Sequence, residues 1–208
     1  MERVIIVDYG MGNLHSVQKA VAAMGAEPVL SQCAQEIADA PRLILPGVGA
    51  FGDAMAELKR LQLVAPIRQA AQGGTPLLGI CLGMQLLFRG SEEGGWHDGL
   101  NLLPGRITRM RAAGNKVPHM GWNDVENRDG VLFANLPAQF SVYFVHSFCA
   151  QDAEAPFVSG VTTYGTPFAC AVRRENVCGT QFHPEKSGAN GLQILRNFLA
   201  LEREGSVC

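Results

Sequence analysis

The sequence predicts an α/β fold: a mostly parallel central sheet with helices on both faces, plus a smaller antiparallel part. Three observations carry this. In the first half, short apolar runs alternate with stretches of helical period. Turn residues punctuate each change from one to the other. In the second half the helical period fades, and short strands follow one another with turns between them.

The elements follow in order. Residues 3–7 are an apolar, β-branched run and read as the first strand. Residues 13–24 carry Leu14, Val17, Val21 and Met24 at helical spacing, and Gly25 stops them. Residues 27–30 and 42–45 read as strands, 52–61 and 63–72 as a helix pair. Residues 76–80 form a buried strand, and 82–88 open a helix. Later strands are expected at 105–110, 142–145, 157–163, 168–173 and 177–182, with a hairpin turn at 174–176. Residues 191–201 close the chain as a helix, with Leu192, Leu195, Phe198 and Leu199 on one face. No internal repeat, low-complexity segment or linker divides the chain, so residues 1–208 read as one domain.

Composition narrows the function. The 208 residues are 47% hydrophobic with a formal charge of −2. That suits a globular protein and gives no reason to expect nucleic acid or an anionic membrane as partner. No apolar run is long enough to span a bilayer. The N-terminus is too short in its apolar part and too acidic for a signal peptide, which points to the cytoplasm. The six cysteines, Cys33, Cys81, Cys149, Cys170, Cys178 and Cys208, include no C-x-x-C pair, and no His-x-x-x-His accompanies them. Neither a metal site nor a disulfide framework is expected. For most of them the expected role is that of a small buried hydrophobe.

Cys81 is the exception. In Gly79-Ile80-Cys81-Leu82-Gly83 it has the spacing of a nucleophile elbow, with sulfur in place of oxygen. A sharp strand-to-helix turn strains the nucleophile's backbone and crowds the residues two before and two after it. Glycine tolerates that approach at least cost. The turn also sets the thiol at a helix start, where the Leu82 amide faces a developing oxyanion. A free thiol, with a pKa of about 8.5, needs a base at neutral pH. His183 is the best candidate, just past the strand at 177–182. Pro184 stiffens its segment, and Glu185 is near enough to hold one imidazole nitrogen.

A second cluster, Pro46-Gly47-Val48-Gly49-Ala50-Phe51-Gly52, contains G-x-G-x-x-G. A dinucleotide fingerprint is disfavoured because Pro46 interrupts the turn and the cluster follows a later strand than the first. Backbone amides lining a pocket beside Cys81, one of them completing an oxyanion hole, fit better.

With these residues the chain resembles the class I (triad) glutamine amidotransferases, of flavodoxin-like fold. Pro118-His119-Met120-Gly121-Trp122-Asn123, Tyr143-Phe144-Val145-His146-Ser147, the opening Asp8-Tyr9-Gly10-Met11-Gly12-Asn13 and the final His183-Pro184-Glu185-Lys186-Ser187 narrow this. They resemble the glutaminase subunits of imidazole glycerol phosphate synthase. The resemblance implies that Cys81 attacks the side-chain amide of L-glutamine to form a thioester. His183 would move the protons, and Glu185 would orient it. Leu82, Val48 and Gly49 would form the oxyanion hole, and Gly49, Gln85, Ser147 and Phe148 would hold the substrate. It implies no cofactor. Ammonia would pass to a (β/α)8-barrel cyclase in a heterodimer, for the step of histidine biosynthesis that makes imidazole glycerol phosphate and aminoimidazole carboxamide ribotide. Met120 and Trp122, on an expected loop, together with Asn123, Tyr143 and Lys186, would form the partner interface or ammonia path.

Three other readings compete: a glutaminase feeding a sugar-modifying synthase, a cysteine peptidase or γ-glutamyl hydrolase of similar fold, and an inactive scaffold. Filled triad positions weigh against the last.

Overall fold

The computed structural model describes residues 2–203. The chain runs β1 (Arg3–Val7), α1 (Leu14–Ala23), β2 (Glu27–Ser31), α2 (Ala34–Ala38), β3 (Leu43–Leu45), α3 (Phe51–Arg60), α4 (Val64–Gln72), β4 (Leu77–Ile80) and α5 (Leu82–Leu86). There follow β5 (Phe88–Ser91), β6 (His97–Asp98), β7 (Leu103–Arg109), β8 (His119–Asn127), β9 (Gln139–His146), β10 (Phe148–Ala150), β11 (Val158–Tyr164), β12 (Thr166–Arg174) and β13 (Val177–Thr180). A 3-10 turn at Pro184–Lys186 and α6 (Gly188–Leu199) complete the described chain.

Strands β2-β1-β3-β4-β13 form a parallel block. Its alternating side chains enter two cores. Ile5, Val7, Leu43, Leu45 and Leu77 pack with Met55, Leu58 and Ile67 of α3 and α4. Val4, Ile6, Ile44, Leu78 and Ile80 pack with Val17 and Val21 of α1 and with Ile194, Leu195 and Phe198 of α6. Burial on both faces is why these strands read as unbroken apolar runs. The α/β expectation therefore holds.

The rest of the sheet departs from the expected plan. Beyond β13 the remaining strands join mainly by antiparallel pairs, with β5–β7 parallel, so this extension carries more strands than the turn spacing suggested. The apolar run at 82–88 splits: α5 ends at Leu86 and Phe88 begins β5. A short apolar run has no period to separate helix from strand. The segment expected as a loop around Met120 and Trp122 is strand β8, paired with β9 from His119 to Glu126.

Candidate active site

Strand β4 delivers Cys81 to the first turn of α5. Cys81 has φ 56° and ψ −111°, a conformation that side chains other than glycine rarely adopt. Two bonds hold it there: its N–H donates to the Thr180 carbonyl of β13 at 2.7 Å, and its carbonyl accepts from Gln85 N at 3.3 Å. The flanking glycines are sterically required. A Cβ on Gly79 would lie 2.6 Å from the Gly83 carbonyl oxygen, and one on Gly83 would lie 1.8 Å from the Leu45 oxygen. Gly83 is thus demanded by β3 as well as by Gly79, a neighbour that the local pattern does not reveal. With five residues, α5 carries little macrodipole, so the Leu82 amide itself is its main electrostatic offering.

The base arrives from the neighbouring strand. β13 lies parallel to β4 with Thr180 opposite Ile80, so Cys81 and the segment 181–183 leave the sheet side by side at its carboxyl edge. His183 N donates to the Tyr143 carbonyl of β9 at 3.0 Å. The 3-10 turn then folds Glu185 back under the ring. Its Oε1 sits 2.8 Å from His183 Nδ1, and both side chains are buried. The carboxylate accepts from Nδ1–H. Among the described residues, His183 Nε2 and Glu185 Oε2 have no hydrogen-bond partner. That leaves Nε2 as the free ring nitrogen, and His183 joins Cys81 in one cavity wall. Burial alone would lower the imidazole. The neighbouring Cys81 and the hydrogen-bonded Glu185 carboxylate outweigh it and raise His183 to about 9.

The cavity over Cys81 has a volume of about 290 Å³. Its wall includes every residue expected there: Val48, Gly49, Leu82, Gln85, Ser147 and Phe148, together with Cys81 and His183. Gly49 has φ +97°, a value suited to glycine. The Gln85 amide is already engaged, donating to the Phe148 carbonyl and to Gln181 Oε1, each at 2.9 Å. It therefore has its oxygen to offer a ligand. Gln181 Nε2 lies 3.8 Å from Cys81 Sγ. Sequence reasoning missed three wall residues, Glu93, Val145 and His146. Glu93 also accepts from Phe51 N at the start of α3, at 2.9 Å. The only local signal for Glu93 was an acid in a glycine-rich loop. A larger open groove, about 720 Å³ along α3 and α4, has neither cysteine nor histidine in its wall.

Met120, Trp122, Asn123, Tyr143 and Lys186 are not in this wall. Met120 and Trp122 are 63% and 59% exposed, which is unusual for side chains of that size. Trp122 pairs across the strands with Tyr143, ring centroids 6.3 Å apart. Lys186 is exposed on the turn beside Glu185. Asn123, by strand alternation, lies on the opposite face of β8 from Trp122 and donates to the Thr163 carbonyl at 3.0 Å.

Cys149, Cys170 and Cys178 are buried, and burial pushes their thiols up, to about 12 for Cys149 and Cys178. They behave as small hydrophobes. Cys33 departs from that expectation and is exposed, and Cys208 lies outside the described residues. Among the described residues no helix is long and apolar enough to cross a membrane.

The chain is similar to known proteins. The glutamine amidotransferase class-I family matches residues 5–201. The imidazole glycerol phosphate synthase subunit HisH of Moorella thermoacetica is 53% identical over 98% of this chain and 97% of its own. The subunit of that name from Methanosarcina mazei is 48% identical over 97% of this chain and 100% of its own. Among solved structures, PurLQS from Thermotoga maritima superposes with a TM-score of 0.75 at 21% identity, over 95% of this chain and 97% of that one. A glutamine amidotransferase superposes at 0.73 with 19% identity, over 94% and 96%. An elbow cysteine, a carboxylate-held histidine on the adjacent strand and these likenesses agree: the chain belongs to the class-I glutamine amidotransferase family, and within it to the HisH subunits of imidazole glycerol phosphate synthase.

Proposed function

We propose that Cys81, His183 and Glu185 are the triad with which this glutaminase subunit of imidazole glycerol phosphate synthase hydrolyses L-glutamine. The observation that supports this best is the convergence of Cys81 and the His183–Glu185 pair at the ends of the adjacent parallel strands β4 and β13.

The chemistry follows from the atoms available. His183 Nε2 holds the proton that Cys81 gives up, and the sulfur attacks the carboxamide carbon. The C=O electrons move onto oxygen, which accepts from the Leu82 amide and from the Val48–Gly49 backbone. Collapse re-forms C=O and breaks C–N as Nε2–H protonates the leaving nitrogen, releasing ammonia and a γ-glutamyl thioester. Nε2 then takes a proton from water, the hydroxide attacks the thioester, and glutamate leaves as the thiolate returns. Glu185 keeps the proton on Nδ1 throughout, so that Nε2 does the transfers. Gly49, Gln85 and the Ser147–Phe148 backbone hold the substrate. Glu93 supplies a carboxylate in the same wall, suited to the ammonium end of an amino acid.

Ammonia that reached water would become ammonium and lose its nucleophilicity. It passes instead to a partner cyclase, a (β/α)8 barrel in a heterodimer, seated on the exposed Met120 and Trp122 face. Tyr143 and Lys186 lie toward the ammonia path. Residues 1–208 act as one domain, in the cytoplasm, where a reducing environment keeps the Cys81 thiol free.

Cys81→Ala tests the assignment in the complex. Synthesis driven by glutamine should vanish while synthesis from an added ammonium salt persists. Continued use of glutamine by that variant would remove Cys81 from the role.

A further inference from the structure

A line of hydrogen bonds joins β8 to the cavity. Asn123 Nδ2 lies 3.4 Å from His119 Nε2. His119 Nδ1 lies 3.1 Å from His146 Nε2, and His146 Nδ1 lies 3.0 Å from the Phe148 carbonyl oxygen. That oxygen also accepts from Gln85, which donates in turn to Gln181, beside Cys81 Sγ.

One proton arrangement satisfies the whole line. A carbonyl only accepts, so His146 carries its hydrogen on Nδ1. Its Nε2 is then a lone pair and needs the hydrogen on His119 Nδ1. His119 Nε2 is left to accept from Asn123. The reverse tautomer of His119 would set a ring N–H against the Asn123 amide nitrogen. A flip of that amide would not cure this, because Asn123 Oδ1 already accepts from Asp124 N at 2.9 Å. From Asn123 to the Phe148 carbonyl, each donor therefore points from β8 toward the cavity. Both rings are buried, and burial lowers His119 to about 4 and His146 to about 3, so both are neutral at physiological pH.

Packing alone does not call for nitrogen here. His119 is sandwiched between Phe144 and Tyr164, with centroids at 4.7 and 4.1 Å, a place where phenylalanine would stack as well. Two imidazoles in an apolar setting are costly unless their polar atoms are used, and the line uses all four nitrogens. We infer that His119 and His146 are positioning residues for the glutamine pocket, fixing the Phe148 carbonyl and through it the Gln85 and Gln181 amides. This rests on placing glutamine over Cys81.

The test compares His119→Phe with His119→Asn, each bound to the cyclase subunit, by the KM and kcat for glutamine and by thermal unfolding. Phenylalanine keeps both ring stacks and removes the donor to His146; its KM should rise about 10-fold, with a smaller change in kcat. Asparagine places an amide nitrogen near the Nδ1 position, so its KM should stay within about threefold of the parent, whatever its loss of thermal stability. A packing role demands the opposite order. A parental KM in His119→Phe, or a larger rise in His119→Asn, would overturn the inference. If His119→Phe does not fold, His146→Gln replaces it, since it keeps an acceptor for His119 but loses the donor to Phe148; the same KM rise is expected, and a parental KM refutes the role. Cys81→Ala, run alongside, separates failure of the site from failure of the line: glutaminase surviving in that variant indicts the site alone.

Discussion

Gly83→Ala probes how the elbow is built. The added methyl would lie 1.8 Å from the Leu45 carbonyl oxygen, 2.8 Å from its carbon and 3.3 Å from the Pro46 carbon. All three are backbone atoms, and none can rotate away. Ordinary contact begins near 3.4 Å, so the start of α5 and the end of β3 must part by roughly 1.6 Å. β3 is pinned to β4 by the Leu45–Gly79 register, so the shift falls on the Cys81–Leu82 segment. Overpacking of this kind costs about 1–3 kcal/mol of stability. A displacement of about 1 Å at a reacting group costs about 100-fold in rate. We expect kcat/KM for glutamine to fall by about that factor, with Tm down by several degrees and slower alkylation of Cys81. Gly130→Ala is the control: its Cβ meets nothing within 4 Å, its backbone is not left-handed, and it lies away from the Cys81 wall. Parental kcat/KM and Tm in Gly83→Ala would refute the crowded elbow.

Two further outcomes are expected. His183 is raised from 6.5 to about 9, burial opposing the rise and Cys81 and Glu185 prevailing. A group raised on folding stabilises fully below its unfolded value and loses that contribution as pH rises through its folded value. Unfolding free energy should therefore fall by on the order of 3 kcal/mol as pH climbs from 6.5 through about 9, measured by denaturant titration. Glu185→Gln should reduce that slope, and an unchanged slope would contradict the pairing. Trp122→Ala should weaken binding of the cyclase subunit by about 30-fold in calorimetry, as loss of a central aromatic anchor does, with the circular dichroism unchanged. Equal affinity would move the interface elsewhere.

The elbow was legible because its requirements are local: strain at Cys81 and crowding at Gly79 both follow from a turn five residues long. The His183–Glu185 contact was legible for the same reason, since two residues and a proline set it. The fold class was legible from the unbroken apolar runs of β1, β3 and β4, which only burial on two faces explains. Strand β8 was misread because Pro118 and Gly121 are turn signals and its alternation is partly polar. Its inward residues are His119 and Val125, and a buried histidine does not advertise burial. Glu93 carried only the weak signal of an acid in a glycine-rich loop, because its place depends on β5 and β6 folding back beside α3.

The sequence by itself determined the chemistry available at each chain position: a thiol held at a strained bend, an imidazole with its carboxylate, and parallel strands with two apolar faces. Only the tertiary structure decided that the thiol and the imidazole meet. Cys81 and His183 are neighbours because β13 pairs with β4 across a long stretch of chain, with Thr180 opposite Ile80. The His119–His146 line likewise exists because β8 pairs with β9, His119 opposite His146. Strand pairing is chosen by the burial of whole faces rather than by any local residue pattern, and so the partners of a site emerge only when the sheet is assembled.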